Sequence, residues 1–171
     1  ESAFYYCESL TSINIPENVT SIGEGAFSFC DSLKNVDIPD GVTSIGANTF
    51  FACESLTSIN IPDGLTSIGE DAFYGCRSLT SISIPENVTT IENHAFENCE
   101  KLLSVTIPDG VTKIGEFAFK GCKNLITVNL PDSLIHIGES AFEYCDNLKN
   151  INVPSQVTKI EQCAFSHCKN L

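Results

Sequence analysis

Leu56-Thr57-Ser58-Ile59-Asn60-Ile61-Pro62-Asp63-Gly64-Leu65-Thr66-Ser67-Ile68-Gly69-Glu70-Asp71-Ala72-Phe73-Tyr74-Gly75-Cys76-Arg77-Ser78 is one unit of a pattern that runs the length of the 171-residue chain. Its leucine returns at 10, 33, 56, 79, 102, 125, 148 and 171, a constant spacing of 23 without insertion or deletion. All seven prolines keep the same phase, from Pro16 to Pro154. A fixed period of this length decides the fold before any local pattern does, because such a unit cannot bury its own apolar face and must stack on its copies.

Within the unit, Leu56 to Ile61 ends in strict alternation and is rich in β-branched residues, which predicts a short strand with Ile59 and Ile61 facing inward. Pro62 ends it. The pair after the proline is Asp-Gly three times and Glu-Asn twice, with Asp132-Ser133 and Ser155-Gln156 as departures, which predicts a tight turn whose second residue is left-handed. A second short strand follows at Leu65 to Ile68. The segment Asp71 to Cys76 is too short for a stable α-helix and is expected to make one helical turn, with Phe73 and Cys76 inward. Residues 1–171 therefore read as a single β-rich repeat solenoid of about seven units, with partial units at both ends. Stacked strands ~4.8 Å apart give a body of roughly 34 Å.

The unit L-T-S-I-x-I-P followed by V-T-S-I-G-x-x-A-F-x-x-C, in phase along the whole chain, resembles the BspA-like, treponemal-type leucine-rich repeats. The resemblance implies a right-handed leucine-rich-repeat coil. It also implies a surface-exposed or secreted adhesion protein of the kind found in bacteria and some mucosal protists, several of which bind host matrix proteins. It carries over no binding residues.

Composition narrows the partners. Nine basic and 22 acidic residues leave a net charge of −13, which disfavours nucleic acid and anionic membrane and favours a basic or neutral protein. No run of 18 apolar residues is present, so no membrane-inserted segment is expected, and the first residues lack the basic start and apolar stretch of a signal peptide. Residues 1–85 hold 11 acids and two bases, against 11 acids and seven bases in 86–171. The two halves should present different faces.

Eight of the nine cysteines, Cys7, Cys30, Cys53, Cys76, Cys99, Cys122, Cys145 and Cys168, share one column. Side chains in a ladder run parallel at ~4.8 Å, whereas a disulfide needs converging Cβ atoms about 3.8 Å apart. Buried free thiols are expected, and a linear column does not make a zinc tetrahedron. Cys163 stands off the column, either as a tolerated surface thiol or as a reactive or intermolecular one. His94, His136 and His167 fall in three different columns with no nucleophile placed beside them, and no phosphate-binding glycine loop occurs. Neither catalysis nor a cofactor is expected.

Two features remain as candidate sites. Glu17, Asp40, Asp63, Glu86, Asp109 and Asp132 line the turn after the proline. They serve turn formation and solubility, or they form a carboxylate edge for a basic partner or a loosely held Ca²⁺. The residues just after the periodic phenylalanine include Tyr5, Tyr6, Phe29, Phe51 and Tyr74 in the first four units, but Glu97, Asn98, Lys120 and Glu143 later, with Tyr144 and His167 near the end. An aromatic cluster confined to one half marks either a partner-binding surface or a cover for the phenylalanine ladder or an adjoining domain. The outward columns of the first strand, Ser12 to Asn150 and Asn14 to Asn152, are small and polar and offer no strong anchor.

Both ends fall inside a repeat, which suggests a piece of a longer array or ends that stack on other copies. Two functions follow: a protein-binding or adhesion module, and, as the alternative, a structural spacer or end-to-end scaffold. The ladder makes its own prediction. Phe96→Ala, in the central rung, should lower unfolding free energy by about 3–5 kcal/mol in urea melts, and a loss under about 1 kcal/mol would mean the column is not core.

Overall fold

The structure, a computed structural model, describes residues 1–171 as one parallel β-solenoid. Ten strands of two or three residues alternate along the chain. The first-strand positions form β1 (Asn35–Asp37) paired with β3 (Ser58–Asn60), and β6 (Ser104–Thr106) paired with β8 (Thr127–Asn129). The second-strand positions make one six-stranded sheet in the order β10 (Lys159–Ile160), β9 (His136–Ile137), β7 (Lys113–Ile114), β5 (Thr90–Ile91), β4 (Ser67–Ile68), β2 (Ser44–Ile45). Every pair is parallel and in step with the repeat, as in Val36 opposite Ile59 and Ile45 opposite Ile68. Equivalent residues therefore meet equivalent residues, and each column of the sequence becomes a ladder in space.

The inward columns merge into one core of 42 buried residues. Seven successive phenylalanine contacts, Phe4 to Phe165, stack with ring centroids 5.2–5.4 Å apart and nearly parallel planes. Spacing wider than ring thickness means the rings are set by the rise of the coil and slide into the offset arrangement that aromatic quadrupoles favour. Val36 and Ile38 are fully buried, as the alternation predicts, while Ile59 and Ile61 are half-buried.

Two local expectations fail. The turn after each proline closes with a backbone bond from the third residue to the proline carbonyl, as in Val42 to Pro39 at 3.0 Å. Its central residues, however, stay at negative φ, Gly41 and Asn18 included. A three-residue closure of this kind is satisfied by two right-handed residues, so Asp-Gly and Glu-Asn serve there as small polar turn formers and not as left-handed ones.

The single helical turn does not form either. The segment is instead a series of tight turns that alternates between axial and local bonding. In one coil the amides of Gly25, Phe27 and Phe29 reach the carbonyls of Ala47, Thr49 and Phe51 in the next coil, at 3.0, 2.9 and 2.8 Å. Between them, Ala26, Ser28 and Cys30 close turns onto Gly23, Gly25 and Phe27 of their own coil. This alternation of axial bonds with local turn closures goes with a backbone that alternates hand along the segment. The left-handed residues fall in two columns, Ser2, Gly25, Asn48, Asp71, His94, Phe117, Ser140 and Cys163, and Tyr6, Phe29, Ala52, Asn98, Tyr144 and His167 with Gly75 and Gly121.

Cysteine completes this segment. The thiol of Cys53 donates to the carbonyl of Phe27 at 3.1 Å, and the same bond recurs for every on-register cysteine from Cys30 to Cys168. All nine cysteines are free. Cys30, Cys53, Cys76, Cys99, Cys122 and Cys145 are buried, but Cys168 is half-buried and Cys7 exposed, since each lies in an outermost coil. Cys163, off the column, is exposed as well. Burial pushes the Cys30 thiol up to about 11 and that of Cys53 to about 12, and raises the remaining buried thiols well above the ordinary thiol value as well.

Thiol labelling of the native protein should thus mark Cys7 and Cys163 quickly, Cys168 slowly, and the other six only after unfolding. The raised thiols also set an alkaline limit. Their stabilising effect is complete below the ordinary thiol value of 9.0 and is lost as pH rises toward about 11 and 12, because the unfolded chain ionises first. The urea midpoint should fall between pH ~8 and pH ~10.5; an unchanged midpoint would contradict the burial of the column.

Candidate functional site

The alternating turn segment leaves three columns on the outside of the coil: that of Gly25, and the two that follow each phenylalanine. The first of the latter pair runs Tyr5, Ser28, Phe51, Tyr74, Glu97, Lys120, Glu143, Ser166, and the second Tyr6, Phe29, Ala52, Gly75, Asn98, Gly121, Tyr144, His167. The five aromatic residues singled out in the sequence come together here as one chain of rings. Tyr6 stacks on Phe29 at 4.6 Å, Tyr5 meets Phe29 edge-on at 5.8 Å, Phe29 leans on Phe51 at 5.3 Å, and Phe51 stacks on Tyr74 at 4.7 Å. Tyr5 and Tyr6 are 51% and 53% exposed, and the other three are half-buried. The rings lie outside the buried phenylalanine ladder, each in contact with its neighbours and with solvent.

In the second half the first of these columns carries charge, at Glu97, Lys120 and Glu143, while the second ends in Tyr144 stacked on His167 at 4.6 Å. Lys120 pairs with Glu143 at 2.9 Å and sits 5.0 Å from the ring of Phe117 and 5.9 Å from that of Tyr144. The hydrogen bond to Glu143 holds the Lys120 ammonium above its usual range. Desolvation works against ionisation of Glu143, yet bonds from Lys120 and Ser140 keep its carboxyl below the ordinary value. His94 bonds Glu97 at 2.5 Å and stacks on Phe117 at 4.9 Å. One wall of the solenoid is thus aromatic at one end and a network of paired charges at the other.

The ion pairs divide in the same way. Lys120, Lys123, Lys159 and Lys169 of the second half each have a carboxylate partner, whereas the only pair in residues 1–85 joins Glu54 and Arg77 at 3.5 Å. The other acids of the first half have no ion-pair partner.

The acidic edge is a separate place. Glu17, Asp40, Asp63, Glu86, Asp109 and Asp132 are all exposed at the corner between the two strands. Glu17 and Asp40 share a shallow recess with Asp37, Asn14 and Asn60 of the first-strand face. No group of three or more His, Cys, Asp or Glu side chains converges as metal ligands would. His94, His136 and His167 each have their own neighbours, Glu97, Glu161 and Tyr144.

Sequence reasoning missed two features. Leu103 and Ile126, adjacent rungs in a column otherwise filled by Thr11, Lys34, Thr57, Thr80 and Lys149, are 49% and 39% exposed. Column-by-column comparison would have found them, as it found the aromatic rings. The second is a charge ladder, Glu54, Arg77, Glu100, Lys123, Asp146 and Lys169, which joins neighbouring coils pairwise at 2.9–3.5 Å. Being exposed, these pairs add little stability, but they oppose slippage by one coil.

A parallel solenoid of 23-residue coils with an inward leucine column defines a leucine-rich-repeat protein. Its sequence matches the BspA-type leucine-rich repeat region in six copies over residues 1–113 and 89–171, and the chain belongs to that family. Among solved structures it is similar to a leucine-rich repeat protein of Bacteroides ovatus, at 37% identity and a TM-score of 0.89, over 94% of this chain and 44% of that one. The T. pallidum leucine-rich repeat protein is 33% identical with a TM-score of 0.83, over 87% of this chain and 72% of its own. A leucine-rich cell surface protein of Faecalibacterium prausnitzii is 30% identical with a TM-score of 0.55, over the full chain and 61% of its own. The chain thus spans less than half of the Bacteroides ovatus protein. No curated protein sequence matches it. No helix is long and apolar enough to cross a membrane.

Proposed function

We propose that this chain is a protein-binding module of a cell-surface or secreted adhesion protein, and that its partner docks on the aromatic stripe of Tyr5, Tyr6, Phe29, Phe51 and Tyr74. The observation that carries the reading is the asymmetry of the outer columns. Later coils fold on the same framework with Glu97, Lys120 and Glu143 where the early ones carry rings, so the framework has no need of aromatic residues there. Contiguous rings that the fold does not require, exposed on a rigid wall, are the usual makings of a binding hot spot. The cell-surface protein of Faecalibacterium prausnitzii supports the location. The acidic edge would then serve to steer a basic partner, its charge acting at a distance.

Repeat-matched substitution separates binding from stability. Phe51→Lys with Tyr74→Glu copies the Lys120 and Glu143 pair of the same column, so the fold has a precedent for it. Against a panel of host matrix and cell-surface proteins, the double variant should lose at least about tenfold in affinity, the mark of a hot-spot loss. Its melting temperature should fall by only a few degrees. Unchanged affinity would remove the stripe as the docking surface. Growth of the wild-type protein into polymers with concentration, seen by light scattering without saturable binding, would favour the scaffold alternative.

A further inference from the structure

The aromatic stripe has one gap. Between Tyr5 and Phe51 the column carries Ser28, and in the adjoining column Gly25 is the one position without a side chain, flanked by Ser2 and Asn48. The missing side chains open a notch of about 430 Å³ that is walled by Tyr5, Phe29 and Phe51 and floored by Gly25 and Ser28. Its size is that of a small-ligand site. The Ser28 hydroxyl is already committed, donating to the Asn48 carbonyl at 2.6 Å, so the floor offers no free donor. Glu1 and Glu24 also line the notch, neither with an ion-pair partner, in the half of the chain where acids outnumber bases 11 to two.

We infer that this notch receives the cationic side chain of an arginine on an extended segment of the partner protein. The inference rests on the stripe being the partner surface, and it names the chemistry recognised there. Ring faces are electron-rich and attract a cation at their centroid, most strongly where a carboxylate completes the charge balance. A flat, weakly hydrated guanidinium lies against a wall of rings better than a strongly hydrated ammonium does. The chain contains its own precedent, since Lys120, in the same column as Ser28, lies against two rings and a carboxylate. There the cation is built in. In the first units the rings and the acid are present, and the column supplies Ser28 in place of a cation.

Three of the four tyrosines lie in the stripe and the chain has no tryptophan, so tyrosine fluorescence reports on this wall directly. The probe is a capped glycine-rich peptide containing two arginines, compared with the same peptide carrying citrulline, which keeps the shape and removes the charge. The arginine peptide should bind saturably and the citrulline peptide at least about fivefold more weakly. Gly25→Asn fills the floor while leaving every ring in place. Asparagine tolerates the left-handed backbone there, as Asn48 does at φ 56 one coil on. This variant should keep its melting temperature and lose arginine-peptide binding by a similar factor.

Equal binding of the two peptides, or full binding by a folded Gly25→Asn variant, overturns the inference. Partner capture that is lost in Phe51→Lys with Tyr74→Glu but untouched by Gly25→Asn would leave the stripe standing and the notch refuted. Arginine binding at the notch, with partner capture intact in the double variant, would refute the stripe as docking surface instead.

Discussion

A 23-residue coil has too little interior to hold itself together, and the constraint from which the rest follows is that its amides must find partners along the solenoid axis. The strands do little of this. Of 91 backbone hydrogen bonds only seven fall within regular strands, and the rest belong to turns and to links between coils. The Ala-Phe-x-x-Cys segment is where axial bonding is densest, with three amides per coil handed to the next and a thiol handed back. Phenylalanine and cysteine are fixed in phase because each fills one inward site of this arrangement and, in the case of cysteine, satisfies a carbonyl that would otherwise have one partner fewer.

That arrangement also explains where variation is allowed. Apart from the cysteine thiols and the Ser28 hydroxyl, axial bonding in this segment uses backbone groups, so the columns pointing outward from it are largely free of framework duty. Gly25, Asn48, Asp71, His94, Phe117, Ser140 and Cys163 share a left-handed backbone, and yet differ in charge, size and polarity. A β-branched residue would be strained there, and none occurs. Within this limit, a solenoid can carry rings at one end and ion pairs at the other without altering its core. The wall from Tyr5 to Tyr144 is built in that way.

The distribution of charge belongs to the same logic. In the second half four of the seven lysines lie beside a carboxylate, either one coil away or within the same coil, so much of the cationic charge is neutralised locally. In the first half every acid but Glu54 lacks such a partner, and the potential they generate extends into solvent over about a Debye length. An uncompensated acidic surface beside exposed rings is an arrangement in which long-range attraction and short-range contact favour the same kind of basic partner.

The sequence by itself determined the period, the in-register stacking, the inward phenylalanine, isoleucine and leucine ladders and the absence of disulfides. All of these follow from identical residues recurring at identical spacing. It also isolated the aromatic residues, because a departure from a repeat is visible without coordinates. Tertiary structure alone decided the hand of each backbone residue. Asp-Gly after proline looked left-handed from local propensity, but the left-handed positions lie beside Phe27 and Phe50, where amides must alternate between their own coil and the next. Propensity at Gly41 or Asn18 carries no information about that demand, which exists only once a neighbouring coil is in place. The notch at Gly25 and Ser28 likewise depends on three successive coils, since a missing side chain becomes a cavity only when the rungs on either side supply its walls.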